Sequence, residues 1–196
     1  MIETAIADET AIKNNSFENE VLIGTNISRI EFETVQFIKC KFQNCDFSKS
    51  SFYTANFSNC DFANCIFKDT YWKKSRIVDC KGDGSNFSNS HLKESILSGS
   101  SFCYANCFHT VWENCSINNC TFKEAFFSES RLKKLKLQEI NFSNTDFFRT
   151  ALKDIDLSAC TIEGIMVSDT FQELKGLKIN SAQAVTLVHL LGVKVE

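Results

Sequence analysis

The sequence predicts an all-β solenoid, in which the chain winds into stacked coils around one narrow core. Three observations predict this fold class. Large apolar residues recur at every fifth position, small residues recur two positions earlier, and charged residues avoid both classes along most of the chain. A fixed sequence period is typical of repeat proteins, which stack into elongated structures rather than a globule around a catalytic cleft.

The apolar series begins at Ile12 and keeps its register to Val167. Of its 32 positions, only Gly82 and Cys107 are not large and apolar, and 15 of the 19 Phe residues belong to it. A helix repeats near every 3.6 residues, and a continuous strand places residues five apart on opposite faces. A single interior column therefore requires the chain to turn a corner about once per repeat.

The residue two positions before each apolar centre is usually Cys, Ser, Ala or Thr. A small inward residue beside a large one fills a narrow interior without strain. From Lys39 to Glu163 no charged residue occupies either class, so the other three positions of each repeat are expected to face water. Near the end, large residues occupy the positions that hold small residues elsewhere: Leu135, Ile140, Ile155 and Ile165. This predicts a wider interior or a covering element there.

Composition and charge exclude several classes of protein. A chain of 196 residues with no Pro and seven Gly suits one domain without a linker. The net charge of −3 provides neither a basic footprint for nucleic acid nor an acidic tail. The first residues lack the regions of a signal peptide, and the apolar runs are too short to span a bilayer. We therefore expect a cytoplasmic protein that binds neither nucleic acid nor membrane directly.

Neither a catalytic site nor a metal site is predicted. Eight of the ten Cys residues belong to the small inward class, and free Cys is a common small buried residue. Cys115 and Cys120 have a spacing that zinc ligands can adopt, but no His or further Cys converges on them. His91 and His109 are in outward positions, His189 lies near the C-terminus, and no catalytic motif accompanies them. We expect no enzymatic activity and no cofactor.

The clearest repeats read Cys-Asp-Phe-Ser-Lys at 45–49, Ala-Asn-Phe-Ser-Asn at 55–59, Cys-Asp-Phe-Ala-Asn at 60–64 and Thr-Asp-Phe-Phe-Arg at 145–149. These repeats resemble the pentapeptide-repeat family, whose motif is A/S/C/T–D/N–L/F–x–x. The resemblance implies a right-handed quadrilateral β-helix with four repeats in each 20-residue coil. About eight such coils would form residues 1–170. One observation agrees with this coil length, since five inward cysteines differ by multiples of 20: Cys40, Cys60, Cys80, Cys120 and Cys160.

The C-terminal segment, residues 171–196, departs from the repeat. Asn180 or Ser181 can cap a short helix that runs to Leu191. The residues Val193–Val195 then read as a short strand. We expect this helix and strand to cap the solenoid.

This C-terminal segment is similar to that of the quinolone-resistance branch of the family, the Qnr and MfpA proteins, and residues 80–87 also resemble that branch. In the branch, the C-terminal helix packs against a second copy and forms a two-fold rod-shaped dimer. The predicted helix leaves little polar face, so it needs cover on more than one side. The candidate dimerisation residues are Val185, Leu187, Val188 and Leu191. The alternative is a monomer in which the helix only shields the end of the solenoid.

The function that the resemblance implies is protein binding. In the quinolone-resistance branch, the dimeric rod imitates duplex DNA and binds DNA gyrase or topoisomerase IV. This chain is therefore expected to be a non-enzymatic homodimer that protects a type II DNA topoisomerase from quinolones. The alternative is an interaction scaffold with a different protein partner, because repeat arrays share a coil without sharing a target.

Two groups of residues are candidates for partner contacts. Segment 95–109 is one place where relatives can carry a projecting loop, although the unbroken register here favours a regular coil. The candidates are Phe102, Tyr104 and Phe108 from this segment, and Asp154, Asp156 and Glu163 from an acidic C-terminal group that also includes Asp169 and Glu173.

One face of a 20-residue coil is predicted to be basic, and this face cannot imitate DNA phosphates. Its basic residues are Lys73, Lys74, Lys93, Arg131, Lys133, Lys134 and Lys153, against the acidic Glu94, Glu113 and Asp154.

Overall fold

A computed structural model describes Ala7 and residues 11–194 of the chain. It is a parallel β-solenoid built from short strands, followed by one turn of 3-10 helix and a short α-helix. The strands are β1 (Ile12–Lys13), β2 (Ser16–Glu18), β3 (Val21–Ile23), β4 (Glu31–Glu33), β5 (Gln36–Ile38), β6 (Lys41–Gln43), β7 (Ser51–Tyr53), β8 (Asn56–Ser58), β9 (Tyr71–Lys73), β10 (Arg76–Val78), β11 (His91–Lys93), β12 (Ile96–Ser98), β13 (Val111–Glu113), β14 (Ser116–Asn118), β15 (Arg131–Lys133) and β16 (Lys136–Gln138). The 3-10 turn is Gln172–Leu174, and the helix α1 is Ser181–Leu190.

Each coil contains four repeats and has four faces. The first face is the sheet β1-β4-β7-β9-β11-β13-β15, and the second is the sheet β2-β5-β8-β10-β12-β14-β16. The third face begins with the pair β3-β6, and the fourth is held by bridges from Asn26↔Asp46 to Asp146↔Met166. Paired residues on every face are 20 apart, as in Phe32↔Phe52, so the seven strands of the first sheet span six turns. The predicted all-β solenoid with 20-residue coils is confirmed.

The corners of the coil explain the period of five. The residue two positions after each apolar centre has a positive φ in every repeat from Asn14 to Asp154. This left-handed conformation bends the chain sharply, and Asn and Gly adopt it more readily than other residues do. Since each repeat contains one such bend, every apolar centre again points into the core.

The core is a continuous column of the apolar centres. From Ile12 to Phe127 every centre is buried. Neighbouring coils stack their rings: the Phe52 ring is 5.0 Å from that of Phe32 and 3.9 Å from that of Trp72. This stacking drives the coils together without disulfide bonds.

Gly82 interrupts the column without leaving a void. The rings of Phe62 and Phe102, from the coils on either side, lean towards each other and their centroids are 6.2 Å apart. A Cβ atom on Gly82 would lie 2.5 Å from Phe62 and 2.9 Å from Phe102. Only glycine fits between rings in this arrangement.

The two tryptophans carry a polar atom into the core, and each indole N–H has a partner. Trp72 Nε1 donates to Thr70 Oγ1 at 2.8 Å, and Trp112 Nε1 donates to Thr110 Oγ1 at 2.9 Å. Both threonines occupy the small inward position of a repeat. A buried donor that lacks a partner is costly, so these threonines are not interchangeable with other small residues.

Thr110→Val is expected to lower the free energy of unfolding by about 1–3 kcal/mol at nearly constant volume. The buried indole N–H of Trp112 loses its acceptor, and Cys107 O and Ser130 Oγ lose a hydrogen-bond partner. Urea denaturation followed by circular dichroism measures the change. Thr161→Val is the matched control, since Thr161 is exposed and a change within about 0.5 kcal/mol is expected. Equal losses for the two variants would contradict this role of Thr110.

The regular pairing of coils stops after β15 and β16. Within the described residues, no backbone hydrogen bond joins residues 131–138 to residues 151–158. The second segment bonds instead to the C-terminal segment, for example from Leu157 N to Lys178 O at 2.9 Å. Leu135 and Ile155 occupy the same corner in successive coils, where smaller residues stand earlier in the chain. These large residues coincide with the separation of the coils, at the position where the sequence predicts a wider interior or a covering element.

The C-terminal segment covers the last coil. Asn180 caps α1 through a capping box with Gln183, as the sequence predicts. Gln183 is buried, and its Nε2 donates to the carbonyl oxygens of Leu157 at 2.8 Å and Cys160 at 2.6 Å. The predicted strand Val193–Val195 is wrong for its first two residues, which form no strand, while its last residue lies outside the described residues. Strands this short depend on a partner edge, and these residues are not paired with one.

Candidate interaction surfaces

The three aromatic candidates from segment 95–109 differ in exposure. Tyr104 is 55% exposed and Phe108 is 42% exposed. Phe102 is only 2% exposed, and its ring stacks on that of Phe122 at 5.0 Å. Its selection as a partner contact is wrong, because it occupies an apolar centre and points into the core.

No loop projects from segment 95–109. The strand β12 pairs with β10 on one side and with β14 on the other. Ser101 and Asn106 each form bridges to both neighbouring coils. The alternative of a regular coil is therefore correct. Tyr104 projects from a corner of the coil, and Phe108 projects from a flat face.

The three acidic candidates are exposed but do not share a face. Asp154 lies at the end of the first face, Asp156 on the second and Glu163 on the third. Hydrogen bonds from Ser158, through Oγ at 2.6 Å and through N at 3.0 Å, lower the pKa of Asp156. These carboxylates surround the C-terminal end of the solenoid rather than form one acidic surface.

Glu173 belongs to the same acidic group in the sequence, but it is only 4% exposed. Its carboxylate accepts hydrogen bonds from the N–H of Arg149 at 2.8 Å and from Ser168 Oγ at 2.9 Å. Loss of water raises its pKa, but hydrogen bonds from the backbone N–H groups of Glu173 and Arg149, and from Ser168, outweigh this effect and lower the pKa overall. Glu173 therefore holds the C-terminal segment in place and is not available to a partner.

The fourth face carries an exposed apolar stripe that sequence analysis found only in part. The stripe consists of Phe108, Phe126, Phe148 and Met166, one residue from each successive coil. Phe108 and Phe148 occupy one position of the coil, and Phe126 and Met166 occupy another. The guanidinium of Arg149 lies 4.9 Å from the centroid of the Phe148 ring. Contiguous exposed apolar residues mark interaction surfaces in many proteins. In the sequence, the distance between successive members of the stripe is alternately two residues less and two residues more than one 20-residue coil. This pattern is recognisable only when the coil length is known.

Two of the basic side chains on the first face have acidic partners. Lys74 pairs with Glu94 at 4.0 Å, and Lys93 pairs with Glu113 at 3.7 Å. Further along the face, the described residues provide no ion pair for Arg131, Lys133, Lys134 and Lys153. The C-terminal half of this face therefore carries uncompensated positive charge.

The four predicted dimerisation residues lie on different sides of α1. Val185 is 42% exposed, and Leu191, directly after the helix, is 56% exposed. Val188 is partly buried, while Leu187 packs against the core of the solenoid. One side of the helix thus covers the last coil, and the other side presents apolar residues to water.

Most of the cysteines lie in the core, and the histidines lie outside it. All ten Cys residues are free, and nine of them are buried. Burial raises the pKa of the thiol of Cys107, and it raises that of Cys120 to about 11. Within residues 11–194, no cluster of three or more His, Cys, Asp or Glu side chains could hold a metal ion. None of the described helices is long and apolar enough to cross a membrane.

The fold and its surfaces define a β-solenoid repeat protein with flat, exposed faces. The chain belongs to the pentapeptide-repeat family. A family model described as a pentapeptide repeat region matches residues 30–106 and 50–127, and a model of eight pentapeptide repeats matches residues 125–164. Proteins of this family are generally structural or interaction scaffolds rather than enzymes.

Two solved structures are similar to this chain at low sequence identity. A trypsin-treated variant of QnrB1, a plasmid-mediated fluoroquinolone resistance protein, is 19% identical, with 95% of this chain and 98% of that chain covered and a TM-score of 0.47. HetL, a pentapeptide repeat protein involved in heterocyst differentiation regulation in the cyanobacterium Nostoc, is 15% identical, with coverage of 90% and 92% and a TM-score of 0.41. No curated protein matches the sequence.

Proposed function

We propose that this protein is a non-enzymatic, Qnr-like binding protein that associates with DNA gyrase or topoisomerase IV and protects the enzyme from quinolones. The observation that carries the proposal is the C-terminal end of the solenoid. The rod closes with a docked helix that leaves Val185 and Leu191 exposed. The likeness of this segment to the quinolone-resistance branch supports the choice of a type II topoisomerase as the partner.

The proposal includes a homodimer formed through α1. An exposed apolar side on a terminal helix is covered when a second copy packs against it, and burial of that apolar area supplies the driving force. Two rods that meet end to end would form one long particle. Asp154, Asp156 and Glu163 would then flank the junction and could meet basic residues of the partner, in place of DNA phosphates.

The aromatic side chains are a second candidate contact in this proposal. Tyr104 projects from the corner between the third and fourth faces, and Phe108 projects from the fourth face, where the apolar stripe continues. Tyrosine and phenylalanine are enriched at the centres of protein interfaces. The basic C-terminal half of the first face would point away from the enzyme, because the DNA path of a topoisomerase is itself basic.

The double variant Val185→Asp/Leu191→Asp tests this proposal. It is expected to be monomeric in sedimentation at concentrations where the native protein is dimeric, because charges cannot be buried unpaired at the junction. It should also lose at least about ten-fold of the protection that the native protein gives DNA gyrase in a supercoiling assay with ciprofloxacin, a loss of about 1.4 kcal/mol. Ile23→Asp is the matched control, since Ile23 is an exposed apolar residue near the other end.

Three outcomes would count against the proposal. A double variant that is monomeric but fully protective would remove the dimer from the mechanism. A native protein that is monomeric at all concentrations would do the same. No protection of gyrase or topoisomerase IV by the native protein at any concentration would reject the proposed partner.

The basic half of the first face favours a second candidate, an interaction scaffold with a different protein partner. Arg131, Lys133, Lys134 and Lys153 contribute nothing to an imitation of phosphates. A pull-down from cells that contains another protein, but no subunit of gyrase or topoisomerase IV, would support this second candidate.

A further inference from the structure

The strand β15 ends the first sheet with an open edge. In the preceding coils, Arg131 N donates to Thr110 O at 2.8 Å, and Asn114 N donates to Lys133 O at 3.0 Å. One coil later, the equivalent bonds would join Ala151 N to Ser130 O and Lys134 N to Lys153 O, and neither bond is formed. The edge therefore offers the backbone groups that normally bind the next strand of the solenoid.

A groove of about 570 Å³ runs along this edge. Arg131, Leu132 and Lys133 line it from β15, and Arg149 and Ala151 lie across from them. Leu132 is an apolar centre that is partly exposed, unlike the centres before it. The groove thus combines a free strand edge with an apolar floor.

The charge of the groove selects its occupant. Arg149 is paired with Glu129 at 3.3 Å, but no ion pair in the described part of the chain involves Arg131 or Lys133. In a strand, alternate side chains point to the same face, so these two residues flank the inward Leu132 on the outer surface. A strand that adds to this edge would place its own outward side chains beside two uncompensated positive charges.

We propose that the open edge of β15 binds an extended acidic peptide by β-augmentation, as a parallel strand. The preferred sequence is an acidic–apolar–acidic triplet. Its apolar residue covers Leu132, and its two acidic residues lie beside Arg131 and Lys133. Main-chain hydrogen bonds hold the peptide, and the side chains select its sequence.

The same face of this protein already contains such a pairing. The strand β4 reads Glu31-Phe32-Glu33 and adds to β1 with the register Ile12↔Phe32. Lys13 Nζ lies 2.6 Å from Glu33 Oε2 and 3.2 Å from Glu31 Oε1. The strand β4 pairs with the edge of β1 that faces the next coil, and the corresponding edge of β15 is unpaired. The β1–β4 pair is therefore a template for the proposed complex.

The test uses the full-length protein and a fluorescein-labelled synthetic peptide with the sequence of residues 29–35, Arg-Ile-Glu-Phe-Glu-Thr-Val. Fluorescence anisotropy should show saturable binding that weakens as salt rises. Arg131→Ser/Lys133→Ser should weaken binding by about five-fold, within the range for two exposed ion pairs. The control variant Lys73→Ser/Lys93→Ser changes the same face where the coils are paired, and should bind as the native protein does. A peptide with both Glu residues replaced by Lys should not bind.

Amide hydrogen exchange separates strand addition from simple charge attraction. Bound peptide should slow exchange at Leu132 and Lys134, whose N–H groups face the groove in the register of the preceding coils. Binding without this protection overturns the proposal, as does the absence of binding or equal binding of the Lys peptide. A duplex oligonucleotide that binds in place of the peptide also overturns it. None of these measurements involves a topoisomerase or the dimer, so the result is independent of the proposed function.

Discussion

Replacing Phe52 with Ala is expected to lower the free energy of unfolding by about 3–5 kcal/mol, the range for Phe→Ala in a close-packed core. The Phe52 ring is fully buried and lies between the rings of Phe32 and Trp72, at 5.0 Å and 3.9 Å. Both neighbours belong to coils that cannot shift without breaking the 20-residue register. The cavity would therefore stay largely open, which places the cost at the upper end of the range.

Thermal and urea denaturation of the purified Phe52→Ala variant measure this loss. Phe148→Ala is the matched control, because Phe148 is an exposed member of the apolar stripe. The variant loses the contact with Arg149, and we expect a change of about 0.5–1 kcal/mol. If both variants lost the same stability, the ring column would not be the main source of cohesion between the coils.

Glu173→Gln is expected to lower the free energy of unfolding by about 2–3 kcal/mol at neutral pH. The buried carboxylate accepts hydrogen bonds from Arg149 N and Ser168 Oγ. In Gln, an NH2 group replaces one carboxylate oxygen, so one of these two donors would face another donor instead of an acceptor. The backbone carbonyl of Glu173 also accepts from Leu152 N at 2.9 Å. Loss of this anchor is therefore expected to loosen the C-terminal segment from the last coils.

The effect of Glu173→Gln should depend on pH in a defined direction. The native pKa of Glu173 lies below the ordinary value of 4.5, so its charge stabilises the fold above that value. This contribution is lost as the pH falls through the native pKa. The stability difference between the native protein and Glu173→Gln should thus be largest near pH 7 and shrink below about pH 4.5.

Urea denaturation at pH 7 and at several acidic values measures this dependence. Glu163→Gln provides the control, because Glu163 is an exposed carboxylate on the third face near the same end. Its effect should stay within about 0.5 kcal/mol at every pH. A Glu173→Gln difference that remained constant down to acid pH would mean that shape, and not charge, makes this residue stabilising.

The fold could be predicted in detail because its core repeats with a short period. Each centre from Ile12 to Phe127 is buried, and the small inward residues lie where the pattern placed them. The helix cap at Asn180 was also predictable, since capping depends on residues close in sequence. Phe102 is buried because its position in the repeat, and not the serine-rich segment around it, decides the direction of its side chain.

Surfaces were harder to predict because they combine residues from different coils. The apolar stripe joins Phe108 to Phe126 and Phe148, which become neighbours only through the 20-residue register of the coils. Glu173 lies outside the repeat, so no period indicated that its carboxylate is buried. The large residues Leu135 and Ile155 indicated a change in the interior, but not that two strand edges would separate.

The repeat pattern alone indicates which side chains point inward, how often the chain bends, and which family the chain resembles. These properties depend on residues within five positions of one another, and the same pattern recurs many times along the chain. Only the tertiary structure decided which outward residues meet, which carboxylate is buried and where the sheet has a free edge. These depend on contacts between successive coils and on how the C-terminal segment packs, and neither is encoded in the local pattern.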